Sequence, residues 1–188
     1  MALDQLVILS NFQASLIPFS EEQLAPLGLP QDVFAFLTQT GLPTHSFYEL
    51  GPNAPVRFLK KPEIKTYFHF RGDYLHFVDM DVMGELAVDI HSKKHEITQF
   101  IDERTAPSHV NSSIGQFIEC FGAWQALYPQ YQDAVRQAIF DDLFCLFDHP
   151  EIYGPHLGRL ESRLREIDPD ALKWRKFFWR RMCEPDVF

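Results

Sequence analysis

The 188-residue chain carries a formal net charge of −9, with 46% apolar and 23% charged residues, which fits a globular domain of ordinary size with room for a proper core. That balance argues against binding phosphate backbones, which takes clustered Lys and Arg, and no apolar run is long enough to span a membrane. The opening Met1-Ala2-Leu3-Asp4 is acidic and the run Leu6 to Leu9 is too short for a secretory leader, so a cytoplasmic setting is expected. Cys120, Cys145 and Cys183 are odd in number and far apart, as in reduced, buried thiols.

In chain order, Ser20 followed by Glu21, Glu22 and Gln23 predicts the capped start of a short helix. A second helix is expected from Pro30, with Val33, Phe36, Leu37 and Thr40 on one face and Gly41 as its left-handed stop. Residues 44–64 carry Pro52, Pro55 and Pro62 and read as loop with irregular edge strands at Phe47 to Leu50 and Val56 to Leu59.

From Thr66 to Ile101 side-chain character alternates with a period of two, which predicts the sheet. Gly72-Asp73 suits a tight type II′ hairpin turn; the implied register sets Phe70 against Leu75, Phe68 against Phe77, His69 against His76 and Tyr67 against Val78. A turn at Asp81 to Gly84, a strand at Glu85 to Ile90, a turn at His91 to His95 and a strand at Glu96 to Ile101 complete an antiparallel meander with one polar face.

The last third reads as helical. Ser112 or Ser113 can cap a helix, Ser113 having the capping-box spacing to Gln116, with Ile114, Phe117, Ile118, Phe121 and Trp124 as its buried stripe. Val135, Ala138, Ile139, Leu143 and Leu146 predict another helix, and Leu157, Leu160, Leu164 and Ile167 a third. In a fourth, Asp168 caps, Pro169 takes the first turn, and Ala171, Trp174, Phe178 and Met182 share a side. Trp174, Phe177, Phe178 and Trp179 are either partner anchors or the closure of the core.

Two groups of side chains carry candidate chemistry. His69, His76 and His91 with Asp89 are a legitimate metal set on the polar sheet face, and His with Asp79 or Asp81 a candidate acid–base pair, but the spacing is that of ordinary solvent-facing strand residues. No phosphate-cradling glycine loop, nucleophile elbow, Cys-x-x-Cys or His-Glu-x-x-His occurs, and no cofactor or catalytic residue is assigned. Asp73, Asp79, Asp81, Glu85 and Asp89 lie along the meander, with Asp102 and Glu103 just beyond. They suit docking of a basic protein through complementary charge; plain turn chemistry and solvation account for the same residues.

Three stretches carry a family resemblance: Phe36-Leu37-Thr38-Gln39-Thr40-Gly41-Leu42-Pro43, the aromatic meander leading into Val110-Asn111-Ser112-Ser113-Ile114-Gly115-Gln116-Phe117, and Leu164-Arg165-Glu166-Ile167-Asp168-Pro169-Asp170-Ala171-Leu172 followed by Trp174. Together they resemble the SUKH superfamily of bacterial immunity proteins, related to the SMI/KNR-type domain, and its fourth subfamily in particular. The resemblance implies a single α+β domain over residues 1–188: a central antiparallel sheet flanked by helices, with C-terminal helices at 133–183 packed on the sheet–helix core. It also implies a protein without catalytic activity that neutralises a cognate toxin domain of a polymorphic toxin system, often a basic nuclease, by stoichiometric occlusion. Because the superfamily includes regulatory and scaffolding proteins, a module for a cellular protein partner is the alternative, and a metal-dependent enzyme a more distant one. Oligomeric state is left open.

Overall fold

The computed structural model describes residues 16–43, 46–47, 56–67, 70, 72–102, 105–140, 150–173 and 178–182. A two-stranded sheet pairs β1 (Leu16–Ile17) with β2 (Leu42–Pro43). Between these strands, α1 (Glu21–Leu24) starts with the expected capping box: Gln23 N donates to Ser20 Oγ at 3.3 Å and Ser20 N to Gln23 Oε1 at 3.0 Å. Helix α2 (Gln31–Gln39) buries Val33 and Leu37, and Pro30 stands at its N-cap, one place before the expected first turn. At Gly41, φ is +80° and an added Cβ would lie 1.9 Å from the Ile17 carbonyl oxygen. Glycine is therefore demanded twice, by the helix stop and by the close approach of β1.

The main sheet is the expected antiparallel meander, six strands in sequential order: β3 (Ser46–Phe47), β4 (Val56–Thr66), β5 (Asp73–Asp79), β6 (Glu85–Asp89), β7 (Ile97–Phe100) and β8 (Ser108–Asn111). Its first hairpin differs from the expectation. Thr66 pairs with Asp73, Ile64 with Leu75, Glu63 with His76 and Phe58 with Val78, so the partner of β5 lies upstream of Phe68 and His69, which are outside the described residues. The ladder ends at the Thr66–Asp73 rung, so six residues separate the strands instead of a two-residue turn, and Gly72 has φ +129°. β4 spans 11 residues despite Pro62, which falls where the ladder is irregular, between Phe58 and Glu63, and no rung there needs its missing N–H.

One face of the sheet meets the helices. α3 runs unbroken from Ile114 to Phe140 with Pro129 inside it, where two helices were expected; Leu143, Cys145 and Leu146 lie outside the described residues. Phe117 and Phe121 of α3 pack on the strands, with ring centroids 5.6 Å apart for Phe77–Phe117 and 5.3 Å for Phe58–Phe121. Cys120 is fully buried among them, and burial pushes its thiol well above the usual range, so it is unreactive. Helix α4 (Pro150–Ile167) buries Leu157, Leu160 and Leu164 in the same core. The expected fourth helix is instead a 3₁₀ turn at Pro169–Leu172, capped by Asp168, followed by a short α5 (Phe178–Met182). Phe178 and Trp179 close the core; Trp174 and Phe177 lie outside the described residues.

A buried polar knot ties these parts together. The Asp168 carboxylate accepts from Asn111 Nδ2 (3.0 Å), Ser112 N (2.7 Å), Ser112 Oγ (3.0 Å) and Asp170 N (3.2 Å), while Trp179 Nε1 donates to Asn111 Oδ1 at 2.6 Å. The end of β8, the start of α3, the end of α4 and α5 thus share one hydrogen-bond network. Ser113 is the serine that caps α3, accepting from Gln116 N at 3.2 Å, and Gln116 Nε2 reaches the Ile167 carbonyl at 3.0 Å.

Candidate functional site

The opposite sheet face carries the chemistry, and a single irregularity in β5 arranges it. His76 pairs with Ala87 and Val78 with Leu86, so Phe77 is the extra residue of a bulge. Leu75, Phe77 and Val78 consequently all enter the helix-side core, and His76 and Asp79 both emerge on the other face although they are three residues apart. Asp79 pairs with Glu85 across to β6, and Glu85 with Phe100 across to β7.

Around these residues lies a groove of about 550 Å³, lined by Arg57, Lys65 and Tyr67 from the β4 side, Asp79, Asp81 and Glu85 from the centre, and Phe100 and Asp102 from the far side. Its aromatic wall is a small second core. Tyr67 lies flat on Phe100, with ring centroids 3.8 Å apart and an interplanar angle of 4°, and Tyr74 meets Phe100 edge-on at 4.9 Å over buried Ala87.

Glu85 is the most engaged of the acids. Lys65 Nζ donates to both of its oxygens at 3.0 Å, and the Tyr67 hydroxyl donates to Oε2 at 2.8 Å. Burial on its own would raise the Glu85 carboxyl, but the hydrogen bonds from Tyr67 and Lys65 and the nearby positive charge hold it below the usual range. The same contact, together with burial as the larger cause, pushes the Tyr67 phenol strongly upward. A carboxyl held low adds stability that is present above its ordinary pKa of about 4.3 and lost as pH falls below it. Tyr67→Phe should therefore cost about 1 kcal/mol at pH 7 and weaken the acid dependence below about pH 4.3, measured by urea unfolding across pH.

Of the seven acids anticipated as a docking surface, Asp79, Asp81, Glu85 and Asp102 meet in this groove. Asp73 and Asp89 stand elsewhere on the sheet and do local work: Asp73 accepts from Thr66 Oγ1 at 2.6 Å, and Asp89 Oδ1 accepts from the backbone N–H of His91 and Ser92. Glu103 lies outside the described residues. The anticipated set of three imidazoles does not assemble among the described residues. His69 is outside them, His91 is exposed beside Asp73 at 3.4 Å, and only His76 joins the groove, buried beneath it at 2% exposure. The contributions of Lys65, Tyr67 and Glu63 were not anticipated, since a strand through Lys60-Lys61-Pro62 has little alternation to announce it.

No helix among the described residues is long and apolar enough to cross a membrane. Comparison with curated proteins and with solved structures gives no match. The family profile described as SUKH-4 immunity protein matches residues 10–185, nearly the whole chain and all three stretches that carry the resemblance. The α+β meander with its helices on one face is thus the fold of a chain that belongs to the SUKH-4 immunity protein family.

Proposed function

We propose that this chain is a cytoplasmic immunity protein that neutralises a cognate toxin domain by stoichiometric binding, and that the acidic groove is where a basic toxin surface docks. The observation that carries this reading is the convergence of Asp79, Asp81, Glu85 and Asp102 on one concavity facing away from the helices, against Arg57 and Lys65 of opposite sign among the described residues. With a formal net charge of −9 the whole molecule adds to that field, which steers a basic partner such as a nuclease domain and fixes its orientation. The reading assigns no catalytic role to the chain.

The test pairs this protein with the C-terminal domain of any large toxin-like protein found encoded beside its gene. A 1:1 complex and rescue of cells expressing that domain are expected. Asp102→Lys with Asp81→Asn should slow association on the order of 10-fold and flatten its salt dependence, read by stopped flow at two ionic strengths. Wild-type association that is independent of salt, or unchanged rates in the double variant, would place the interface on another face.

A further inference from the structure

Beneath the groove, His76 is 2% exposed and neither ring nitrogen makes a hydrogen bond. An imidazole buried without partners is costly, and two unpaired nitrogens on one ring call for an explanation. The surroundings supply one. Nε2 lies 3.0 Å from Asp79 Oδ1, but that oxygen is off the N–H direction; it lies 3.6 Å from Glu85 Oε2. On the other side of the ring, Nδ1 faces Glu63 Oε1 at 3.7 Å. One ligand atom from each of His76, Asp79 and Glu85 falls within 4.8 Å of the others, the single such set of His, Cys, Asp and Glu among the described residues.

The two nitrogen–oxygen separations, 3.0 and 3.6 Å, are those of a metal tetrahedron. Donors about 2.0–2.2 Å from a zinc ion are roughly 3.4 Å apart at the tetrahedral angle, and a co-ligand oxygen lies off the lone-pair axis of the nitrogen. A carboxylate behind the non-ligating ring nitrogen is the usual companion of a metal-bound histidine, fixing its tautomer and orientation, and Glu63 Oε1, 3.7 Å from Nδ1, needs only a small approach to take that place. Asp79 and Glu85 also line the open groove, which gives an ion its path of entry and leaves a fourth position toward solvent. One nitrogen with two carboxylate oxygens suits a first-row divalent ion of the zinc type better than calcium or magnesium, which take oxygen ligands.

We propose that His76, Asp79 and Glu85 form a three-ligand site for a divalent transition-metal ion, backed by Glu63 and regulated by Lys65. Lys65 is the built-in competitor. Its ammonium sits 3.0 Å from both Glu85 oxygens, so an ion enters only as that ammonium gives way. Occupancy exchanges a movable single charge for a fixed double one and makes the groove less acidic.

The probe is zinc(II), added to the tag-free, chelator-stripped full chain, with binding read by calorimetry and geometry by the absorption of cobalt(II) in its place. One equivalent should bind, cobalt should give the intense visible bands of tetrahedral coordination, and the melting temperature should rise with zinc concentration. Asp79→Asn, a half-exposed position that leaves the core intact, should abolish the one-equivalent step. Glu63→Gln should weaken it about 10–100-fold, and Lys65→Met should tighten it. His76→Gln serves as a further check if its chelator-stripped circular dichroism matches wild type. Absence of a one-equivalent step in wild type, octahedral cobalt spectra, or equal affinity in Asp79→Asn would each overturn the site.

Discussion

Replacing Asp168 with Ala is expected to remove about 3–5 kcal/mol of folding stability, read as a lower urea midpoint at an unchanged slope. The carboxylate is 1% exposed, and four donors converge on it: Asn111 Nδ2, Ser112 N, Ser112 Oγ and Asp170 N. Ser112 stands two residues before Ile114, the first residue of α3, so the charge also lies near the positive end of that helix. Alanine orphans all four donors at once, and each buried donor left without an acceptor costs about 1–3 kcal/mol. Asp168→Asn keeps one acceptor oxygen but sets an amide N–H₂ against other donors, so about 1–3 kcal/mol is expected. The exposed neighbour Asp170 is the control, and Asp170→Ala should stay within about 0.5 kcal/mol. Because Trp179 Nε1 donates into the same network through Asn111, Asp168→Ala and Trp179→Phe should be non-additive in a double-mutant cycle. An Asp168→Ala loss below 1 kcal/mol, or strict additivity, would mean the knot is not a cooperative unit.

That knot explains which parts of the fold could be read in advance. Asn111-Ser112-Ser113 and Asp168-Pro169 stand 55 or more residues apart and look like two separate helix starts; in the molecule they are the two halves of one clamp. Their local roles were legible, because capping is decided by neighbours three residues away, as at Ser20 with Gln23 and Ser113 with Gln116. Their meeting was not, because nothing in a local spacing encodes a contact between β8 and the end of α4. The strands divide in the same way. Glu85 to Asp89 alternates large apolar residues with polar or small ones and forms a strand as expected, although both of its faces are covered at the middle, where Ala87 lies in the second core with Tyr74 and Phe100. The aromatic alternation at Tyr67 to Phe70 imitates a strand, but Tyr67 and Phe70 lie beyond the ladder and pack on Phe100.

The groove was half legible for a related reason. Its acids stand out in the composition, but which of them converge depends on the bulge at Phe77, one inserted residue that turns His76 and Asp79 to the same side. Positions three apart in a regular strand point to opposite faces, so the candidate pairing of His76 with Asp79 takes the bulge to realise. The lysine that meets Glu85 comes from β4, a strand disguised by Lys60-Lys61-Pro62. The helix stop at Gly41 and the turn ending at Gly84 were both expected from the glycine itself, and both have positive φ.

Gly84→Ala is the second large effect, and it separates stability from binding. Gly84 sits at φ +85° and ψ −142°, a region closed to residues with a Cβ, and that Cβ would lie 1.9 Å from the Phe100 carbonyl oxygen and 2.7 Å from Ile101 Cα. Strain and clash together should cost about 3 kcal/mol. The only relief is to move β6 from the end of β7, the rung that sets Glu85 opposite Phe100. The same movement displaces Asp81 and Glu85, which flank Gly84 in the groove wall. Gly41→Ala meets an equally close carbonyl, that of Ile17 at 1.9 Å, in the two-stranded sheet instead. Both variants should lose comparable stability in urea, whereas partner affinity per folded molecule should fall on the order of 10-fold or more for Gly84→Ala and stay at the wild-type value for Gly41→Ala. Equal affinities in the two variants would detach partner binding from the groove, because the shape of that wall is what distinguishes them.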